Sequence, residues 1–107
     1  MDKKLRKKSA ALARSSSLAS LQKIMKTLLA PGGCPWDRRQ THSTLVKSLH
    51  EESGEVGRAV RKKDWDNLRE ELGDVLLQVV FHSALAERDG RFTLRDVIRG
   101  INSKMVR

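Results

Sequence analysis

Six carboxylates fall in two short clusters, Glu51, Glu52 and Glu55 in one segment and Glu70, Glu71 and Asp74 in another. On a helix turning about 100° per residue, Glu52 shares the arc of Leu45, Leu49, Val56, Ala59 and Val60, and Glu55 lies at its edge. In the second segment Val75, Leu76, Leu77, Val79, Val80 and Phe81 are apolar nearly all round, and Glu71, Asp74, Gln78 and His82 form one polar stripe. Carboxylates turned toward apolar surroundings are costly unless a counter-charge meets them. The pattern predicts a cation site.

Three features favour a bound metal over a solvated acidic face. Glu51 with Glu55, and Glu70 with Asp74, are like-charge i,i+4 pairs that weaken an isolated helix. Glu52 with Glu55, and Glu71 with Asp74, are i,i+3 pairs, so two antiparallel helices could converge four carboxylates on one ion. Gly54, Gly57 and Gly73 interrupt the helices beside the acids, each costing about 1 kcal/mol relative to alanine; they permit close helix approach or make room for a ligand. The alternative is that Arg58, Arg61 and Arg69 neutralise the acids. An all-oxygen donor set suits Mg2+, Mn2+ or Ca2+. A di-iron bundle would want Glu-x-x-His on paired helices, and zinc is disfavoured with Cys34 alone and His42, His50 and His82 dispersed along the sequence.

The elements that must position these acids read as helices throughout. Leu18, Leu21, Met25, Leu28 and Leu29 repeat at helical spacing up to Ala30, after the Ser15–Ser17 cluster. Pro31, Gly32, Gly33 and Pro35 predict a loop. A second helix is expected over about 41–63, a third from Asp64 or Asp66 to Asp89 with Gly90 closing it, and a fourth capped by Thr93 that turns Leu94, Val97, Ile98, Ile101 and Met105 inward. No period-2 strand pattern, internal repeat or Gly-rich phosphate loop is present. The fold class is all-α, a helical bundle. An apolar all-round helix in a chain of 107 residues predicts that a second subunit covers part of it.

The net charge of +9 invites a nucleic-acid reading, which its distribution argues against. Residues 1–26 carry eight Lys or Arg against one Asp, whereas residues 27–107 carry fourteen against twelve acids. The excess therefore belongs to a basic arm, residues 1–16, ahead of a nearly balanced helical domain, residues 17–107. Such a charge run reads as solvated and disordered; an Arg-, Ala- and Ser-rich start also fits an organelle transit sequence. One cysteine fits a reducing compartment. No apolar run approaches the ~20 residues of a membrane span. The expected location is the cytoplasm.

The ordered strings Gly33-Cys34-Pro35-Trp36-Asp37, Gln40-Thr41-His42, Glu51-Glu52-Ser53-Gly54-Glu55, Asn67 through Asp74, Gln78-Val79-Val80-Phe81, Gly90-Arg91-Phe92 and Ile101 through Met105 closely resemble the MazG-type nucleoside triphosphate pyrophosphohydrolases. The similarity covers residues 18–107. It implies a four-helix-type bundle whose active assembly is completed by homodimerisation, as a dimer or a dimer of dimers. It also implies Mg2+-dependent hydrolysis of nucleoside triphosphates to monophosphate and pyrophosphate, with Mn2+ as a substitute ion, in a house-cleaning or regulatory role. By position, the family's metal carboxylates fall on Glu52, Glu55, Glu71 and Asp74, and its substrate contacts on Ser48, Glu51, Asn67, Glu70, Lys104 and Arg107. Glu51 is the candidate general base or orienter of the metal's outer shell, and Trp36 either stacks a nucleobase or anchors its own loop as a buried side chain. The sequence departs from the family at His50 and Gly54, where a larger apolar or aromatic residue is common. Beyond Lys104 the family commonly has a second arginine and a His-Pro stretch, where this sequence has Met105, Val106 and Arg107. The competing expectation is a non-catalytic dimerisation module that binds nucleic acid or a protein through its basic arm.

Overall fold

In a computed structural model, which describes residues 12–107, the chain is all-α. A 3-10 turn at Leu12–Arg14 precedes five helices: α1 (Leu18–Leu29), α2 (Pro35–Arg38), α3 (His42–Lys62), α4 (Trp65–Arg88) and α5 (Leu94–Val106). Most of the basic arm lies outside the described residues. The helices fall in two compact units, one ending at Gln40 and the other spanning Thr41–Arg107.

Local side chains set the helix starts. The Ser17 hydroxyl accepts from the Ser20 N–H at 3.1 Å and opens α1. Thr41 and Thr44 form a reciprocal capping box at α3, Thr93 and Asp96 another at α5, and the Asp64 carboxylate accepts from the Asn67 N–H at 3.2 Å to open α4. Each cap satisfies backbone donors that the first turn leaves without intrahelical partners.

The segment expected to be a loop contains a short helix. Pro35 occupies the first turn of α2, the one helical position where a missing N–H and a fixed φ cost nothing. The expectation of a pure loop treated both prolines as helix breakers and overlooked this. Gly33 is required there by close approach: a Cβ on it would lie 2.1 Å from the Leu28 carbonyl oxygen.

The α3–α4 connection is a tight hairpin. Lys63 adopts a left-handed conformation at φ 55°, and the Asp64 N–H reaches back to the Ala59 carbonyl at 3.1 Å. Glycine usually holds such a position, and a lysine there carries no sign of the turn. The turn lays α4 back along α3, and α5 returns onto α4 after Gly90, whose φ of +71° ends the helix. Val80 and Leu85 are the largest fully enclosed side chains, with Leu45, Ala59, Phe81, Ala86 and Leu94 also buried. Burying each large aliphatic contributes about 1.5–3 kcal/mol. That core fixes α4 against α3 and sets the register of the acids between them.

Candidate metal and substrate site

Glu52 on α3 and Glu71 and Asp74 on α4 each bring one carboxylate oxygen within 4.8 Å of the others. Glu52 and Glu71 are half-buried and Asp74 is exposed. Their electrostatics are those of acids crowded together. The Glu52 pKa is raised above the ordinary carboxylate value, first by desolvation and then by Asp74, Glu71, Glu55 and Glu51. Glu71 is raised likewise, by desolvation, then Asp74, Glu55 and Glu70, with a hydrogen bond to Glu52 working the other way. A protonated carboxyl relieves part of this repulsion; a divalent cation would relieve all of it. Two oxygens about 2.1 Å from one octahedral ion span at most roughly 4.2 Å, so a small inward movement makes this oxygen set fit a hard cation such as Mg2+.

Glu55, the fourth acid of the expected set, is turned elsewhere. Its carboxylate accepts from the Arg58 guanidinium one turn along α3, and that hydrogen bond lowers its pKa. Of the three arginines weighed as neutralisers, Arg58 therefore meets one acid of the cluster, whereas Arg69 pairs with Asp66 at 3.8 Å on the open surface. Arg61 lies over Gly57. The glycines differ in role: a Cβ at Gly54 would lie 3.7 Å from the Arg58 guanidinium, and one at Gly73 would meet nothing within 4 Å. Gly73 thus leaves open space beside Glu71 and Asp74 and marks no close helix approach.

The expected substrate residues differ in exposure. Ser48 and Asn67 are half-buried, and Glu51, Glu70, Lys104 and Arg107 are exposed. Trp36, 57% exposed, belongs to the unit ending at Gln40.

One constellation was not legible in the sequence. His42 and His82, forty residues apart, place their Nδ1 atoms 2.7 Å from each other, with rings nearly parallel at 14° and centres 5.0 Å apart. The hairpin joins two histidines that looked dispersed; His50 stays exposed. A hydrogen bond between two ring nitrogens needs one donor and one acceptor, so the pair shares a single proton across the bridge. His82 Nε2 and Gln78 Oε1, one turn apart on α4, are buried with no hydrogen-bond partner. Burial, and then His42, push the His82 pKa below its ordinary value.

Residues 40–107 match the MazG nucleotide pyrophosphohydrolase domain, and this span contains both acidic clusters and all of α3, α4 and α5. The chain belongs to the MazG nucleotide pyrophosphohydrolase domain family. It is 52% identical over 87 residues to the nucleoside triphosphate pyrophosphohydrolase/pyrophosphatase MazG of Thermotoga maritima, covering 81% of this chain and 34% of that protein. It is 45% identical over 85 residues to the nucleoside triphosphate pyrophosphohydrolase of Escherichia coli K12, covering 78% of this chain and 32% of that protein. A Bacillus subtilis relative, the uncharacterized protein YabN, is 47% identical over 89 residues, covering 83% of this chain and 18% of that protein. The MazG-like chain thus spans about a third or less of the length of these curated relatives. Among the described residues, no helix is long and apolar enough to cross a membrane.

Proposed function

We propose that the chain hydrolyses nucleoside triphosphates to nucleoside monophosphate and pyrophosphate, with a divalent cation, Mg2+ or in its place Mn2+, held by Glu52, Glu71 and Asp74 and joined by Glu55. The observation that carries this reading is the convergence of three carboxylates, from two helices of a MazG-family segment, on one place. When bound, the ion offsets negative charge on the triphosphate and on the reacting phosphorus.

The remaining chemistry belongs to the chain. Glu51, exposed and next to a ligand in sequence, is free to accept a proton from an attacking water and to orient it. Lys104 and Arg107, at the exposed end of α5, offset phosphate charge, the arginine with two parallel donors. Ser48, Asn67 and Glu70 flank the carboxylates along α3 and α4 and contact the nucleotide. Trp36 presents an exposed aromatic face on which a base can stack.

The active form is a homodimer or a dimer of dimers. Leu72, Leu76, Leu77 and Val79 on α4, and Val97, Ile101 and Met105 on α5, remain 36–74% exposed. That much apolar surface on so small a unit is best covered by a second copy. We place this activity in the cytoplasm, as house-cleaning or regulation of nucleotide pools.

Pyrophosphate release from a panel of ribo- and deoxyribonucleoside triphosphates, with and without Mg2+, tests the reading. Stoichiometric monophosphate and pyrophosphate that disappear with EDTA are expected. Absence of release from every nucleotide, with a well-folded dimer that retains polyanion binding, would establish the non-catalytic module instead.

A further inference from the structure

Glu55 lies one turn beyond Glu52 on α3, yet its carboxylate is held by Arg58 while Glu52, Glu71 and Asp74 converge without it. The guanidinium lies across Gly54, with both terminal nitrogens 3.7 Å from where a Cβ would be. Its positive charge is favoured first by the hydrogen bond to Glu55 and, beyond that pair, by Glu71 on the facing helix. The guanidinium thus pairs with Glu55 and is attracted more weakly by an acid of the facing helix. Two bodies of positive charge, one covalently attached and one diffusible, are available for a single carboxylate.

We propose that Arg58 is an internal counter-cation that holds Glu55 away from the carboxylate group and competes with the divalent cation for it, so that full metal ligation requires the Glu55–Arg58 pair to open. This deepens the metal-dependent reading above and rests on it. The pair weakens cation affinity in the absence of nucleotide, because the ion gains Glu55 only at the expense of an existing ion pair. Arg58 is thus a positioning residue: it sets where Glu55 points.

The test is Mn2+ binding to the nucleotide-free protein, measured by electron paramagnetic resonance of the free ion, on wild type, R58Q, E55Q and R58Q/E55Q. R58Q is expected to bind Mn2+ about two- to fivefold more tightly, the scale of a partly exposed ion pair. E55Q, which removes the carboxylate that Arg58 and the ion share, should abolish that gain in the R58Q background. R58K, which keeps the charge, should fall between wild type and R58Q. Equal affinity in wild type and R58Q, or a gain that survives in R58Q/E55Q, overturns the proposal while leaving the metal centre standing, provided that E52Q abolishes binding. No Mn2+ binding by any of the proteins overturns the metal centre and this proposal together.

Discussion

Replacing Glu52 by Gln should make the metal-free protein more stable and the enzyme inactive, a combination expected of a ligand in a cluster of like charges. In the folded chain Glu52 is desolvated and faces Asp74, Glu71 and Glu55, and its pKa is raised above 4.5. A carboxyl whose folded pKa is raised contributes its full stability below the unfolded value and loses it as pH rises through the folded one. At neutral pH the charged Glu52 is therefore a net cost. Like-charge neighbours on helices cost roughly 0.2–0.5 kcal/mol each. Summed over three neighbours and reduced because the group is partly solvated, relief of about 0.5–1 kcal/mol is expected from E52Q. At about 4–8 °C per kcal/mol, the melting temperature in EDTA should rise by ~2–8 °C. In Mg2+ the order reverses. Wild type gains about 2.7 kcal/mol at an ion concentration a hundred times its dissociation constant, whereas E52Q gains little. Pyrophosphate release should fall at least about a hundredfold, roughly 2.7 kcal/mol of transition-state stabilisation. Thermal melts with EDTA or Mg2+, paired with a turnover assay, read all three quantities. A mutant less stable than wild type in EDTA, or one that keeps the Mg2+-induced shift, would refute the reasoning.

The His42–His82 bridge predicts a second pH dependence of opposite sign to that of Glu52. The folded state disfavours charged His82, so this contribution is complete above the ordinary histidine value of 6.5 and declines as pH falls below it. Melts in EDTA from pH 8 to 5 should show wild type losing stability faster than H82F. Parallel curves would discount the bridge. Ile101→Asp, at a position 50% exposed in the single chain, should leave the protomer folded but convert the proposed oligomer to monomers in light scattering at micromolar concentration; an unchanged mass would remove α5 from the proposed interface. Leu85→Ala, by contrast, opens a cavity at a site 1% exposed and should cost about 2–5 kcal/mol in denaturant unfolding. A loss under 1 kcal/mol would mean that the α4 core is not packed as described.

Much of the architecture is written in local chemistry. Ser17, Thr41, Asp64 and Thr93 cap helices within reach of their own side chains, so the helix starts need no tertiary information. The i,i+3 spacing of Glu52 with Glu55 and of Glu71 with Asp74 likewise announces an acidic face on each helix. Spacing alone cannot say which of the four oxygens meet. That is decided by the hairpin at Lys63, whose left-handed backbone carries no glycine to signal it, and by the packing of Val80 and Leu85 that sets the register of α4 on α3. The same register brings His42 to His82 across forty positions, a contact with no periodic trace in the chain. Glu55 is the clearest case. The charged groups around it, Arg58 on α3 and the acids of α4, are all present in the sequence. Only the fold shows that Glu55 pairs with Arg58 within α3 while Glu52 meets Glu71 and Asp74 across the hairpin.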